Sequence, residues 1–326
     1  MGISTLEALK TVVDYSTGGA AGKDLVKRRL EKAWRQGRLR EEVDNPEWKF
    51  RLCCARLMNG DFSWDSWEHR HPWAQMLWFN PGEIGIPKWD GKPCKLLVLG
   101  EQGLGDEVMF ASRIPEVLKT CEVEMIVEPR LVGVFERSFG VKCHPRDMGK
   151  ELSTAKRLIE EKGFDAYFGL GDLPRLLGMP DGSPYLKPAP ERLSEMAPYK
   201  GLTGISWRGR NGSYPLKDFP QGLSLQYAQN WDEEVETPHI DLKDDIEGVI
   251  ALISVLSKVV TVSTSVAHFA GALGVETEVI LAPIGSGSVE NQINWRWQDG
   301  RNKKVPWYRS VTVYRNLNEW RAHRLR

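Results

Sequence analysis

The stretch from Lys95 to Arg113, KLLVLGEQGLGDEVMFASR, constrains the fold more than any other part of the chain. An apolar run at 96–99 has the length of a buried strand, and it ends at a glycine-rich turn, 100–105. Asp106 then begins a segment that we expect to be a helix. A strand, a tight turn and a helix in this order predict a Rossmann-like α/β unit, in which ligands bind at the carboxyl ends of the strands. A carboxylate held there is a candidate general base.

The alternation of strands and helices continues on both sides of a proline-rich segment, 178–199, which we interpret as an interdomain linker. We therefore expect two α/β layers. In the first layer, strands are predicted at 96–99, 123–127 and 164–168, and helices at 106–119, 131–138, 147–162 and 173–177. In the second layer, strands are predicted at 201–207, 223–226, 259–262 and 277–281, and helices at 245–257, 267–273 and 318–324.

The N-terminal part of the chain has a helical pattern. Residues 4–43 predict two helices, and the second, 23–42, carries eight Lys and Arg residues. Such a charge run is usually a solvated face, with an anionic partner as the alternative. A further helix is predicted over 47–59. The expected organisation is a helical region and connector at 1–90, one α/β domain at 91–198 and a second at 199–326.

The overall charge limits the classes of partner. Lys and Arg together number 44, as do Asp and Glu, so the net charge is zero and gives no global attraction for nucleic acid or an anionic membrane. The longest apolar runs have strand length, and the first residues do not resemble a secretory signal. Five cysteines without a CxxC pair argue against a disulfide framework or a structural zinc site. We expect a cytoplasmic protein without a membrane span or a bound metal.

A second candidate motif follows the predicted strand 259–262. Ser263, Thr264 and Ser265 come directly before a helix, so their hydroxyls and the first N–H groups of the helix would form an anion site for a nucleotide diphosphate. The alternative is helix capping by Ser263 or Ser265 without a ligand. His268, on the first turn, would either reach a phosphate or be a satisfied, partly buried histidine.

Cations follow the predicted strand 201–207. Arg208, Arg210 and Lys217 are suited to a pyrophosphate, with a solvated basic loop as the alternative. The turn that contains Gly103 and Gly105 does not match the GxGxxG pattern of dinucleotide sites and lacks the Lys-Ser/Thr of a phosphate loop. No acidic residue is expected to close a strand about twenty residues further on, which disfavours an NAD site. Taken alone, the glycines of the turn could have no role beyond allowing the strand and the helix to pack closely. Asp106 could then be a carboxylate stabilised by the helix dipole.

Tryptophan is abundant, with 13 residues, of which nine fall in two groups, 64–89 and 295–320. We expect such groups to anchor packing between domains, with stacking platforms for sugars as the alternative.

Several segments together carry a family resemblance. In chain order they are Asn59–Phe62 with Trp67–Arg70, Pro87–Gly91, Gly100–Asp106, Leu173–Gly178 with Pro184–Leu186, Gly204–Trp207, Ser263–Gly274, and Trp295–Trp297 with Trp307–Tyr308. The sequence resembles the glycosyltransferases related to lipopolysaccharide heptosyltransferases, a family 9-like group. The resemblance is closest to bacterial and phage proteins that carry such a domain behind tetratricopeptide-like helices, and it covers the chain from about residue 55 onward.

The resemblance implies a GT-B fold, in which two Rossmann-like domains face each other across a cleft, with no obligatory metal or cofactor. It implies inversion, with Asp106 as the base. Ser263, Thr264 and His268 match the motif at the diphosphate of a nucleotide-sugar donor, and Lys217 falls where a basic residue would meet the phosphates. Ser263 departs from the family, since many relatives have Asp at this position.

The expected activity is therefore sugar transfer from a nucleotide-diphosphate sugar to a hydroxyl of a surface glycan or a protein, in a bacterial cytoplasm or, for a phage protein, in that of its host. Transfer to hydroxymethylated DNA bases is an alternative, suggested by the basic helix 23–42 and by Arg321, Arg324 and Arg326. An inactive, transferase-like scaffold is an alternative from another class, suggested by Ser263 and the short loop from Arg210 to Lys217.

Overall fold

The computed structural model describes residues 12, 28, 44–70, 81–209, 212–226, 235–281, 294–300 and 304–324. The predicted basic helix 23–42 lies outside the described residues except for Arg28, and so do Arg210 and Arg326. The two predicted helices of the tetratricopeptide-like region, and any anionic partner of the basic one, therefore stay predictions.

The first described helix, α1, spans Pro46–Met58. The side chain of Asn45 caps it by accepting a hydrogen bond from the backbone N–H of Glu47, and proline occupies the first helical position. Asn59 ends the helix, and Gly60 follows with a φ of +83°, a conformation that glycine adopts without strain. The predicted helix at 47–59, with its glycine stop, is confirmed.

The first α/β layer contains a sheet of four parallel strands in the order β3-β2-β1-β4. The strands are β1 (Lys95–Leu99), β2 (Glu122–Val127), β3 (Lys142–Pro145) and β4 (Ala166–Gly169). The helices are α2 (Leu104–Ala111), α3 (Ile114–Val117), α4 (Val132–Phe139), α5 (Glu151–Lys162) and α6 (Leu173–Leu177). Residues 96–99 of β1 are buried, as expected for a central parallel strand.

Two features of this layer differ from the prediction. The helix expected over 106–119 is divided into α2 and α3, because Pro115 has no N–H to continue the hydrogen bonding. The edge strand β3 was not predicted, since its sequence, KCHP, is short and polar.

The second layer contains five parallel strands in the order β11-β10-β9-β5-β8, beside a short antiparallel pair, β6 and β7. The strands are β5 (Thr203–Ser206), β6 (Arg208–Gly209), β7 (Gly212–Ser213), β8 (Leu223–Ser224), β9 (Lys258–Thr261), β10 (Thr277–Ile280) and β11 (Val311–Tyr314). The described helices are α7 (Pro190–Leu193), α8 (Ile246–Val255), α9 (Ser265–Leu273) and α10 (Leu317–Arg324). The predicted α/β class with two parallel sheets is confirmed, while β11 was not predicted.

The proline-rich segment 178–199 packs against both layers. The backbone N–H groups of Tyr185 and Leu186 donate to the carbonyl of Ala272 in α9, and the Tyr185 hydroxyl donates to the carbonyl of Val108 in α2. The segment expected to be a linker therefore also connects α2 to α9.

An aromatic cluster joins three parts of the chain. Trp64 and Trp67 precede the first layer, Phe110 lies in α2, and Trp295 and Trp307 come from the second half. Trp67 lies 5.2 Å from Trp295, and Trp64 lies 6.1 Å from Trp307, measured between ring centroids. For these four tryptophans, this confirms the expected packing between the two halves of the chain, whereas Trp73 and Trp78 lie outside the described residues.

Across the described stretches of the chain, no helix combines the length and the apolar character needed to cross a bilayer.

Candidate functional site

Asp106 lies in the first turn of α2, at the carboxyl edge of the first sheet. Gly103 is the N-cap residue and gives the helix no side-chain cap. The Asp106 carboxylate is about one-fifth exposed, and its Oδ1 accepts a hydrogen bond from Nε of Arg296 at 2.5 Å. The predicted base is therefore paired with an arginine from the second half of the chain.

The second predicted motif lies at the carboxyl end of β9, where α9 begins. Thr264 is the N-cap residue, and its side chain makes no capping bond. The alternative of capping by Ser263 or Ser265 is therefore wrong. The hydroxyl of Ser263 instead accepts a hydrogen bond from the indole N–H of Trp297 at 2.8 Å.

The two motifs touch each other. A β-carbon placed on Gly105 would lie 2.9 Å from Cδ2 of His268 and 3.2 Å from Cα of Ser265. Only glycine allows this approach, so the N-terminal turns of α2 and α9 are in direct contact at this point. The site is therefore formed by the N-termini of two helices, one that follows a strand of the first sheet and one that follows a strand of the second.

His268 is buried and has a protein partner at Nδ1, while its role at a phosphate stays a prediction. Its ring stacks on Trp297 with 4.8 Å between centroids, and Nδ1 lies 3.0 Å from the Tyr308 hydroxyl. Burial lowers the pKa of His268 to about 4, with Arg296 lowering it further and Asp106 opposing the shift. The ring is neutral at pH 7.

Two tyrosine hydroxyls lie near that ring. The Tyr308 hydroxyl shares a hydrogen bond with Nδ1 of His268, and the direction of this bond depends on which ring nitrogen carries the proton. The Tyr185 hydroxyl donates to the carbonyl of Val108 in α2.

The three predicted cations differ in where they lie relative to the hydroxyl residues Ser263 and Thr264. Arg208 lies on β6, and its neighbour Gly209 approaches the hydroxyl turn so closely that a β-carbon there would lie 2.9 Å from Cγ2 of Thr264. Lys217 is exposed on a short 3-10 turn, and in the described part of the chain no contact joins it to Ser263. Arg210 lies outside the described residues. Arg208 is thus placed near the predicted phosphate site, while the roles of Lys217 and Arg210 stay predictions.

A buried ionic network supports the glycine-rich turn. Arg70 and Glu101 are both fully buried and form two hydrogen bonds, of 2.9 Å and 2.8 Å. Arg70 also donates to Asp172, which pairs with Lys88 as well. Burial alone would raise the pKa of Asp172, but the charges of Arg70 and Lys88 outweigh it and hold that pKa at about 2. Oε1 of Glu101 accepts from the backbone N–H of Gly171, so the network ties the turn to the end of β4.

A second buried carboxylate, Glu107, lies behind the same turn. It accepts from the backbone N–H of Glu128 at 2.9 Å and pairs with Arg146 at 3.0 Å. Burial raises the pKa of Glu107 to about 8, although Arg146 opposes the shift. Between these groups, Gln102 adopts a φ of +65°, and its side chain accepts from Arg296 at 3.2 Å. Such backbone strain in a residue other than glycine is concentrated at functional sites.

One sequence argument against a dinucleotide site was wrong. Glu128 follows the last residue of β2 directly, which is the position of the ribose-binding acid in that class. In this structure the Glu128 carboxylate pairs with Arg130 at 2.6 Å. The argument from the missing GxGxxG pattern is unaffected.

The principal residues that sequence reasoning missed are Arg70, Glu101 and Asp172 of the network, and Arg296 and Trp297 beside the two motifs. Arg70, Glu101, Arg296 and Trp297 lie in segments that carry the family resemblance, and that was the available signal.

No protein-family model matches the chain. A curated relative, the protein FlbA of Caulobacter vibrioides, is 26% identical over 319 residues, a match that covers 81% of this chain and 50% of FlbA. The chain thus spans about half the length of that relative.

Solved structures with a similar chain path include the ADP-heptose LPS heptosyltransferase II of E. coli and a family 9 glycosyltransferase of Veillonella parvula. The match to the first has a TM-score of 0.47 at 12% identity and covers 71% of this chain and 98% of the heptosyltransferase chain. The match to the second has a TM-score of 0.48 at 12% identity and covers 71% of this chain and 88% of the Veillonella chain.

Proposed function

We propose that this chain is a glycosyltransferase. It would move a sugar from a nucleotide-diphosphate sugar to an acceptor hydroxyl, with inversion at the anomeric carbon and without a metal ion. The observation that carries the proposal is the contact of Gly105 with Ser265 and His268, which brings the turn that holds Asp106 against the start of α9. A base beside an anion site is the minimum that such a transfer needs.

In the proposed reaction, Asp106 accepts the proton of the acceptor hydroxyl. The oxygen attacks the anomeric carbon and forms the new C–O bond, while the bond from that carbon to the diphosphate oxygen breaks. The nucleoside diphosphate leaves with the electron pair. The N–H groups at the start of α9 and the hydroxyls of Ser263 and Thr264 would stabilise its charge.

The helix ends support the anion site. The N-caps of α2 and α9, Gly103 and Thr264, make no side-chain capping bonds. Each helix N-terminus carries a partial positive charge, so two such ends in contact favour an anion between or beside them. Arg208 adds a cation on the neighbouring strand.

For the acceptor we propose a surface glycan or a protein. The DNA alternative depends on the basic helix 23–42, outside the described residues. Strongly salt-dependent DNA binding would favour it, and no binding at low salt would exclude it.

A second candidate function is that of an inactive, nucleotide-binding scaffold. The pairing of Asp106 with Arg296, and the use of the Ser263 hydroxyl by Trp297, favour it, because both predicted site groups already have protein partners.

The test is sugar release and transfer from a panel of nucleotide-diphosphate sugars, with Asp106→Asn as the variant. We expect a loss of about 10²–10⁴-fold in kcat, the usual contribution of a general base. Asp90→Asn is the matched control, since Asp90 is an exposed aspartate near the amino end of β1 and pairs with Lys92. No turnover with any donor, together with nucleotide binding, would favour the scaffold. Full turnover in Asp106→Asn would exclude Asp106 as the base.

A further inference from the structure

Arg296 joins the two halves of the candidate site. Its Nε donates to Asp106 and its Nη2 donates to Gln102, so both groups of the first layer are held by one guanidinium. The same guanidinium lies 4.4 Å from the centre of the Trp295 ring. Its side chain is 19% exposed, so solvent or a ligand can reach it.

The residues on either side of Arg296 are fixed. Trp295 packs in the aromatic cluster, 6.3 Å from Phe110. Trp297 is buried, stacks on His268 and donates to Ser263 at the start of α9. The backbone of Arg296 is therefore anchored between the two motifs, while its long side chain can turn without moving either tryptophan.

The charges at this point compete for the same arginine. Arg296 holds Oδ1 of Asp106, so this oxygen is not open to an acceptor hydroxyl while the pair is formed. A diphosphate carries more negative charge than a carboxylate and offers oxygens that match the forked guanidinium.

We propose that Arg296 changes partner when the donor binds: it leaves Asp106 for the diphosphate, and the freed carboxylate then accepts the proton of the acceptor. This inference rests on the proposed function and adds its regulation. Arg296 would act as a positioning residue for Asp106 and as a ligand of the leaving group. The base is thereby free for the acceptor only when a donor is present.

The test uses the full chain and needs no sugar chemistry. The affinities of ADP, UDP, GDP and CDP are measured by calorimetry, and the tightest binder is kept for the variants. We expect Arg296→Gln to weaken binding by about tenfold or more, as for the loss of a charged hydrogen bond. We expect Asp106→Asn to tighten it by about three- to tenfold, because the competing carboxylate is gone.

The double variant Asp106→Asn/Arg296→Gln separates exchange from simple repulsion between Asp106 and the phosphates. If Arg296 changes partner, the tightening from Asp106→Asn disappears in the Arg296→Gln background. Arg157→Gln is the matched control, an exposed arginine on α5 that pairs with Glu161. Arg296→Lys keeps the charge but loses the forked guanidinium, so it should bind the nucleoside diphosphate with intermediate affinity. It replaces Arg296→Gln in the test if that variant does not fold.

The outcomes separate the two proposals. If no nucleoside diphosphate binds the wild type, the proposed function fails and this inference fails with it. If one binds but neither Arg296→Gln nor Arg296→Lys weakens it, or if the tightening by Asp106→Asn persists in full in the double variant, the exchange is wrong and the proposed function stands.

Discussion

Arg70 and Glu101 form a fully buried, two-bond ion pair, with Nε to Oε2 at 2.9 Å and Nη2 to Oε1 at 2.8 Å. Arg70 comes from the segment before the first layer, and Glu101 from the glycine-rich turn that precedes Asp106. Because neither charge can be solvated, each depends on the other, and Arg70 depends on Asp172 as well. The position of the turn is thus fixed by residues outside its own strand and helix.

The first prediction concerns this pair. Arg70→Met should lower the free energy of unfolding by about 3–5 kcal/mol, because it leaves the Glu101 carboxylate buried and unpaired. Denaturant unfolding measures the change. Arg175→Gln is the control, since Arg175 pairs with Glu68 at the surface, and it should cost less than about 1 kcal/mol. Equal effects of the two substitutions would contradict the assigned role of Arg70.

The second prediction uses Gly103 and Gly105, two of the three glycines of the turn. Gly105→Ala should destabilise the protein by about 1–3 kcal/mol, because its β-carbon would overlap His268 and the backbone of Ser265. Gly103→Ala should cost less than about 1 kcal/mol, since its β-carbon would meet only Asp106 Oδ2 at 3.8 Å. Thermal unfolding of both variants checks this. A Gly105→Ala variant as stable as Gly103→Ala would show that α2 and α9 are not in close contact.

The third prediction is a pH dependence that arises from Glu107. Burial raises its pKa from 4.5 to about 8, so the folded protein binds this proton more tightly than the unfolded chain does. The stabilisation is complete below about pH 4.5 and is lost as the pH rises towards 8. The unfolding free energy of the wild type minus that of Glu107→Gln should therefore fall over this range, by up to about 5 kcal/mol.

Glu161→Gln provides the control for Glu107. Glu161 is an exposed glutamate paired with Arg157 on α5, and its replacement should give a difference that changes little with pH. A wild-type advantage over Glu107→Gln that stays constant or grows with pH would mean that Glu107 is ionised at neutral pH.

The fourth prediction concerns the protonation of His268. Burial lowers its pKa to about 4, which keeps the ring neutral well below pH 6. Nitrogen-15 NMR of the labelled ring should therefore show one protonated and one bare ring nitrogen at pH 6. Because the folded pKa lies below the ordinary value of 6.5, the associated stability is present above pH 6.5 and is lost as the pH falls towards 4.

Tyr308→Phe tests the contact at Nδ1. Without the Tyr308 hydroxyl, the nitrogen-15 shift of Nδ1 should change while the ring remains buried and neutral. A ring that titrates near pH 6.5 in the wild type would contradict the burial of His268.

The sequence predicted the features that depend on local pattern. The apolar runs at 96–99 and 259–262 are strands because a central parallel strand is buried on both faces, whatever the rest of the chain does. Asp106 and Ser263 were found for the same reason, as each follows such a strand. The edge strand β3, with the polar sequence KCHP, lacked this signal, whereas the edge strand β11, VTVY, carries an apolar pattern that was not read as a strand.

The remainder of the site depends on contacts between distant residues. Arg296 lies 190 residues from Asp106, and Arg70 lies 102 residues from Asp172. Neither pairing has a spacing rule, because it arises from the packing of loops over the sheet edges. The segments that contain Arg70 and Arg296 carried the family resemblance, but nothing local indicated that they would meet the glycine-rich turn.

The aromatic cluster has a consequence for the cooperativity of folding. Trp67, Phe110 and Trp295 are buried against one another, although they come from the segment before the first layer, from α2 and from the second half. Unfolding any one of these parts would expose large aromatic surfaces on the other two, at a cost of several kcal/mol. Both sheets should therefore unfold in a single thermal transition. A chain that lacks residues 1–90 should lose this common transition, because the two α/β layers would not form a stable pair on their own.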